Sequence, residues 1–208
     1  MNSSVSQCFS EQGALAKAIP GFKARQSQLD MANAVAQVIK DKKQLVVEAG
    51  TGTGKTFAYL APALLTGRKV IVSTGTKALQ EQLFHRDLPL VKNALKPKMK
   101  TALLKGRGNY LCTYRLVQNG QHPPFDDADF VTDLSHVRRW SSETDSGDLG
   151  ELTSIEENSR VIPFVTSTVE NCLGKDCPNV KDCHVMEARK KALEADLVVV
   201  NHHLFFAD

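Results

Sequence analysis

Apolar positions along this chain change period several times. Over residues 25–40 they recur at Leu29, Ala32, Val35, Ala36 and Ile39, the spacing of one helix face. After a turn at Asp41, Lys42 and Lys43, the unbroken run Leu45, Val46, Val47 predicts a strand buried on both faces of a parallel sheet. Residues 55–65 read as a helix that stops at Gly67, and 69–73 as a second buried strand. Thr76 predicts the cap of a helix running to Leu83, and 101–104 a third strand. Strand and helix alternate, which predicts an α/β fold built on a parallel sheet.

From residue 106 the alternation lapses. Phe130, Leu134 and Val137 keep helical spacing and predict a helix over 126–140, while Pro123, Pro124 and the Ser146, Gly147, Asp148 stretch read as loop. Residues 185–195 then predict a helix and 196–201 another buried strand. The α/β pattern resumes there, so 106–185 is expected to be an insertion between 1–105 and 186–208, loop-rich and held together by metal more than by a large core.

Composition narrows the class only a little. Hydrophobic residues make up 42% and charged residues 24%, as in ordinary globular domains, and 208 residues allow one core or one core with a smaller module. No apolar stretch approaches the roughly 20 residues of a spanning helix, and the first ten residues lack the pattern of a secretory signal. A cytoplasmic protein with no membrane partner is therefore expected. A net charge of +3 is too small to argue for nucleic acid by itself.

The most specific motif is Ala49, Gly50, Thr51, Gly52, Thr53, Gly54, Lys55, Thr56, set between a predicted strand and a predicted helix. Glycines let successive backbone N–H groups turn toward phosphate oxygens, and the helix start adds partial positive charge at the same place. Lys55 is expected to reach the β- and γ-phosphates of ATP or GTP, and Thr56 to hold Mg²⁺ through its hydroxyl. The usual first glycine is replaced by Ala49, which is still small enough for close packing.

Five cysteines without a signal peptide argue against a disulfide framework. Cys172, Cys177 and Cys183 crowd one stretch, Cys112 opens the insertion, and Cys8 is remote and expected to be an inert core residue. Three clustered thiols with one distant thiol, and no Cys-x-x-Cys pair, suit a cubic iron-sulfur cluster better than a zinc ribbon. Zinc is the second reading.

Taken together these residues resemble the DinG/XPD group of superfamily 2 iron-sulfur DNA helicases, and within it the bacterial DinG-like members. The likeness rests on Val47-Glu48-Ala49 leading into the phosphate loop, on 72–76, on Lys105-Gly106-Arg107-Gly108-Asn109-Tyr110-Leu111-Cys112, on the three later cysteines, and on 198–204. It implies a RecA-like P-loop NTPase with an inserted 4Fe-4S module. It also implies ATP with Mg²⁺ as cofactor, and 5′-to-3′ movement on single-stranded or forked DNA in repair or replication. By the same resemblance Cys112, Cys172, Cys177 and Cys183 are the cluster ligands. Phe22, Arg25 and Gln28 correspond to an adenine-contacting segment, and Thr74, Gly75 and Thr76 to a strand-contacting motif.

Arg107, with Lys105, Arg138, Arg139, Lys181, Arg189, Lys190 and Lys191, is basic enough to line a single-strand path. His202 and His203 follow a buried strand, and packing is the expected role for them. No Asp-Glu pair follows an apolar strand in these residues, so the chain is expected to be truncated before the family's Asp-Glu-Ala-His strand and to be inactive by itself. Two other classes stay open on the residues alone: a different P-loop phosphotransferase such as a small kinase, and a zinc-stabilised nucleic-acid-binding module.

Overall fold

A computed structural model of the chain describes residues 2–121 and 127–207. The chain divides into two compact units, Met1–Leu103 with Glu194–Asp208, and Leu104–Leu193.

The first unit opens with two short helices, α1 (Asn2–Cys8) and α2 (Ala14–Ala18), followed by α3 (Gln26–Asp41) and α4 (Lys55–Leu65). Strand β1 (Val70–Thr74) leads to α5 (Lys77–Gln82), a π turn (Leu83–Asp87) and α6 (Leu88–Leu95). Strand β2 (Thr101–Leu104) follows, and β3 (Leu197–Asn201) with α11 (His202–Phe205) completes the unit after the intervening residues. The sheet order is β1-β3-β2, with β1 and β3 parallel and Ser73 in register with Val200.

The core of this unit lies where α3 and α4 cross close together. Ala32 and Ala36 on one helix and Ala58 and Ala61 on the other are fully buried, and small side chains of this kind allow two backbones to approach. Leu15, Leu60, Leu64, Leu88, Val91, Leu197 and Val199 fill the space around them. Truncating a leucine there, such as Leu60, would cost about 2–5 kcal/mol through lost transfer energy and a residual cavity.

Two expectations are corrected here. Residues 45–47 form no strand: Val46 is 97% exposed and its neighbours are largely exposed too. A β-branched run becomes a strand only when a neighbouring edge accepts its hydrogen-bond ladder, and among the described residues neither outer edge of the β1-β3-β2 sheet pairs with 45–47. Residues 2–20, for which the sequence pattern predicts no element, contain α1 and α2, and this segment buries Val5, Cys8, Phe9 and Leu15 in the core. Cys8 is the expected inert thiol, and burial raises its pKa.

The second unit has an apolar core of its own. Helices α7 (Thr113–Gln121), α8 (Ala128–Ser141) and α9 (Ile162–Val165) gather Leu111, Leu116, Phe130, Leu134, Val137, Leu152, Val161 and Val165. Phe130, Leu134 and Val137 form the stripe read from the sequence, and Phe164 meets Phe130 edge-on at 5.4 Å. Asp126, where that helix was expected to begin, lies outside the described residues. Beyond Ser167 the backbone is mostly exposed and makes only two short 3-10 turns, Gly174–Asp176 and Val180–Asp182, before α10 (His184–Glu194). The expectation of a core-poor module therefore holds for its cysteine-bearing stretch and fails for its helices. Among the described residues no helix is long and apolar enough to cross a membrane.

Candidate functional site

The loop 49–54 runs into α4, and its shape is fixed largely by glycines. Gly52 and Gly54 sit at φ 74° and 83°, a left-handed region that side chains disfavour. A Cβ on Gly54 would also stand 2.1 Å from Gln28 Nε2, so this position needs glycine twice over.

Side-chain donors occupy the loop's carbonyls. Lys55 Nζ donates to Ala49 O at 2.6 Å and to Gly50 O at 2.7 Å. Thr53 Oγ1 donates to Gly50 O at 2.9 Å, Gln28 Nε2 to Gly54 O at 3.0 Å, and Arg25 Nη1 to Gly52 O. Apart from the turn at 51–52, the backbone N–H groups of residues 50–54 show no acceptor among the described residues. A loop with four of its six carbonyls taken and most of its N–H groups free is suited to receive an anion.

Gln28 is 5% exposed, a buried polar group whose amide is spent on the loop. The structure thus brings Arg25 and Gln28 to the phosphate loop itself. Behind the loop, Thr56 shares a side-chain hydrogen bond with Tyr59, whose pKa is raised chiefly by burial.

At the C-terminal ends of β1 and β3, Thr74 Oγ1 donates to Val200 O at 3.3 Å and Thr76 caps α5 by accepting from Leu79 N at 3.2 Å. Gln80, 1% exposed, donates to Val199 O at 3.3 Å. The sequence reading missed His202: expected to be packed, its ring is exposed and its Nδ1 lies 2.5 Å from Ser73 Oγ. Only the fold brings residues 73 and 202 together, so no local signal could have revealed the pair.

In the second unit, Cys112, Cys172, Cys177 and Cys183 line one cavity of about 220 Å³, together with Leu111, Val180 and Val185. Cys112 is anchored to the helical core by its N–H, which donates to Val165 O at 2.7 Å. The other three sit on or beside the 3-10 turns. Burial pushes the Cys112 thiol up from its ordinary value, and the charges of Cys177 and Cys183 add to the rise.

A single zinc ion would draw four sulfurs to about 2.3 Å from one point. Among the described residues no three Cys, His, Asp or Glu side chains converge in that way. Arg107, read as a strand contact, has Nη1 2.8 Å from Cys172 Sγ. Lys105, read as part of the same basic path, is 7% exposed and paired with Asp148 at 2.6 Å; that ion pair is structural.

Residues 29–116 match the DEAD/DEAH box helicase family. The chain is 56% identical over 204 residues to the ATP-dependent DNA helicase YoaA of Haemophilus influenzae, covering 98% of this chain and 32% of that protein. It is 57% identical over 200 residues to YoaA of Escherichia coli, covering 96% and 31%. With the ATP-dependent helicase DinG of Mycobacterium tuberculosis the identity is 39% over 230 residues, covering 100% and 34%. The chain spans about a third of the length of these relatives.

Proposed function

We propose that the chain, similar to YoaA and DinG over about a third of their length, belongs with the DinG-like helicases and is the nucleotide-holding and iron-sulfur-bearing part of an ATP-dependent DNA helicase working in the cytoplasm. One observation carries the reading: in loop 49–54 the carbonyls of Ala49, Gly50, Gly52 and Gly54 accept from Lys55, Thr53, Arg25 and Gln28, which leaves backbone N–H groups of the loop for phosphate oxygens. Triphosphate binding would draw the Lys55 ammonium off the Ala49 and Gly50 carbonyls onto the β- and γ-phosphates, exchanging neutral acceptors for charged ones. Thr56, oriented by Tyr59, would hold Mg²⁺. Arg25 and Gln28 would brace the loop beside the base.

The four cysteines would hold a 4Fe-4S cluster in the cavity they ring, the cluster joining α7 to the 3-10 turns in a stretch with little core of its own. Leu104–Leu193 is then the inserted module of a RecA-like motor domain. Thr74, Gly75 and Thr76 would face single-stranded DNA at the carboxyl ends of the strands, where open α/β sheets bind their ligands. For Arg107 the bond to Cys172 favours a role at the cysteine cavity over one on DNA.

The test is titration with ATP and with labelled oligothymidylate, alongside iron and sulfide analysis of anaerobically purified protein. Binding of both ligands and about four irons per chain are expected. Stoichiometric zinc without iron, with indifference to DNA, would return the chain to the phosphotransferase or zinc-module classes.

A further inference from the structure

The Ser73–His202 pair is not used by the reading above. Residues 73 and 202 are brought together by the parallel pairing of β1 and β3, which aligns Ser73 with Val200 and Thr74 with Asn201. The strand ends are pinned by the bonds from Thr74 Oγ1 to Val200 O and from Gln80 Nε2 to Val199 O. Asn201 Oδ1 then accepts from His203 N at 2.8 Å, which starts α11 and fixes the side on which the His202 ring emerges.

The ring packs against Phe206, 6.2 Å between centroids, and Nδ1 meets the Ser73 hydroxyl at 2.5 Å. Its opposite edge lies over Gly75: a Cβ there would stand 3.8 Å from Cδ2 and 3.9 Å from Nε2. His202 is exposed, so that edge is open to a ligand passing Gly75. A hydroxyl that donates to Nδ1 leaves the ring proton on Nε2.

We propose that His202 is a contact residue for single-stranded DNA: the Ser73 hydroxyl donates to Nδ1, the ring proton stays on Nε2, and that N–H is offered to a phosphodiester oxygen passing Gly75. The inference rests on the reading of Thr74, Gly75 and Thr76 as strand-facing and adds a residue about 130 positions away. A neutral donor to a phosphate orients the backbone without releasing a counterion.

The test is anisotropy of labelled oligothymidylate against the protein and its variants, with ATP affinity measured in parallel. His202→Phe keeps the packing on Phe206 and is expected to bind about tenfold more weakly, the worth of one hydrogen bond to a charged group, with ATP affinity unchanged. Ser73→Ala frees the ring and should cost about threefold. His202→Gln, which carries an N–H of similar reach, should recover part of the loss.

Because no counterion is exchanged, the ratio of wild-type to His202→Phe affinity should be the same at low and high salt. Wild-type affinity in His202→Phe overturns the proposal, and a ratio that shrinks with salt overturns the neutral donor. If the unaltered protein binds no oligothymidylate, the strand-facing reading falls first and this one with it, an outcome distinct from an unaffected variant.

Discussion

Residues 49–54 and residues 168–183 both lack regular secondary structure beyond short turns, and both carry the groups assigned to a ligand, yet they are held in different ways. The nucleotide loop is bracketed by side chains from well-packed helices: Arg25 and Gln28 come from the start of α3, and Lys55 from the first residue of α4. Its conformation is set before any phosphate arrives. The cysteine stretch has two 3-10 turns and local bonds such as Val180 N to Cys177 O at 3.0 Å, and its large apolar side chains Val169 and Leu173 face outward at 80% and 44% exposure. A loop braced by protein can exchange its ligand at every turnover, whereas a loop braced by its ligand has to keep it.

The comparison breaks most sharply at the cysteines. If the stretch holds the proposed cluster, Cys177→Ser should abolish iron binding, and hydrogen exchange across 168–183 should rise to near the rate of an open chain while the buried part of α4 stays as protected as before. Equal protection of 168–183 with and without iron would mean that the stretch holds itself.

The next largest effect is expected from Lys55→Ala. Losing charge-assisted bonds to two phosphates should weaken ATP binding by about a hundredfold or more, with the unfolding free energy changed by less than about 1 kcal/mol. Unchanged affinity would remove the nucleotide assignment.

Gly54→Ala tests the bracing itself. The φ of 83° and the clash with Gln28 should together cost about 1–3 kcal/mol of stability, read by denaturant unfolding. Pairing it with Gln28→Ala should relieve part of that cost, because the clash is with the glutamine side chain. Smallest of all, Val169→Ser should change stability by less than about 0.5 kcal/mol, since its side chain is largely exposed.

These contrasts bear on what the sequence could disclose. Helix α4 and strand β2 fall at the residues read from the pattern, and the α8 stripe is buried as its spacing predicts, because in each case local periodicity and tertiary burial agree. The strand over 45–47 was misread because strandedness depends on a neighbour that the run itself does not encode. Helices α1 and α2 escaped because such short helices are made by packing rather than by propensity, and only a few of their side chains are apolar.

At the site, the loop glycines and the four cysteines were legible as spacing. The bonds of Arg25 and Gln28 to the loop, the turn of Arg107 toward Cys172, and the Ser73–His202 pair join residues distant in sequence, and the fold alone reveals them.

The π turn at Leu83–Asp87 has a consequence for how this unit tolerates change in length. An i→i+5 turn holds one residue more than an α turn, and such turns are the form in which a helix absorbs a single insertion. Upstream, Gln80 and Leu83 face inward; downstream, Leu88 and Val91 do so too, each face keeping its own angular phase. Deleting one residue inside 84–86 should convert the stretch to continuous α-helix and leave both faces aligned, whereas the same deletion in α4 would rotate everything after it by about 100° and turn its buried alanines toward water.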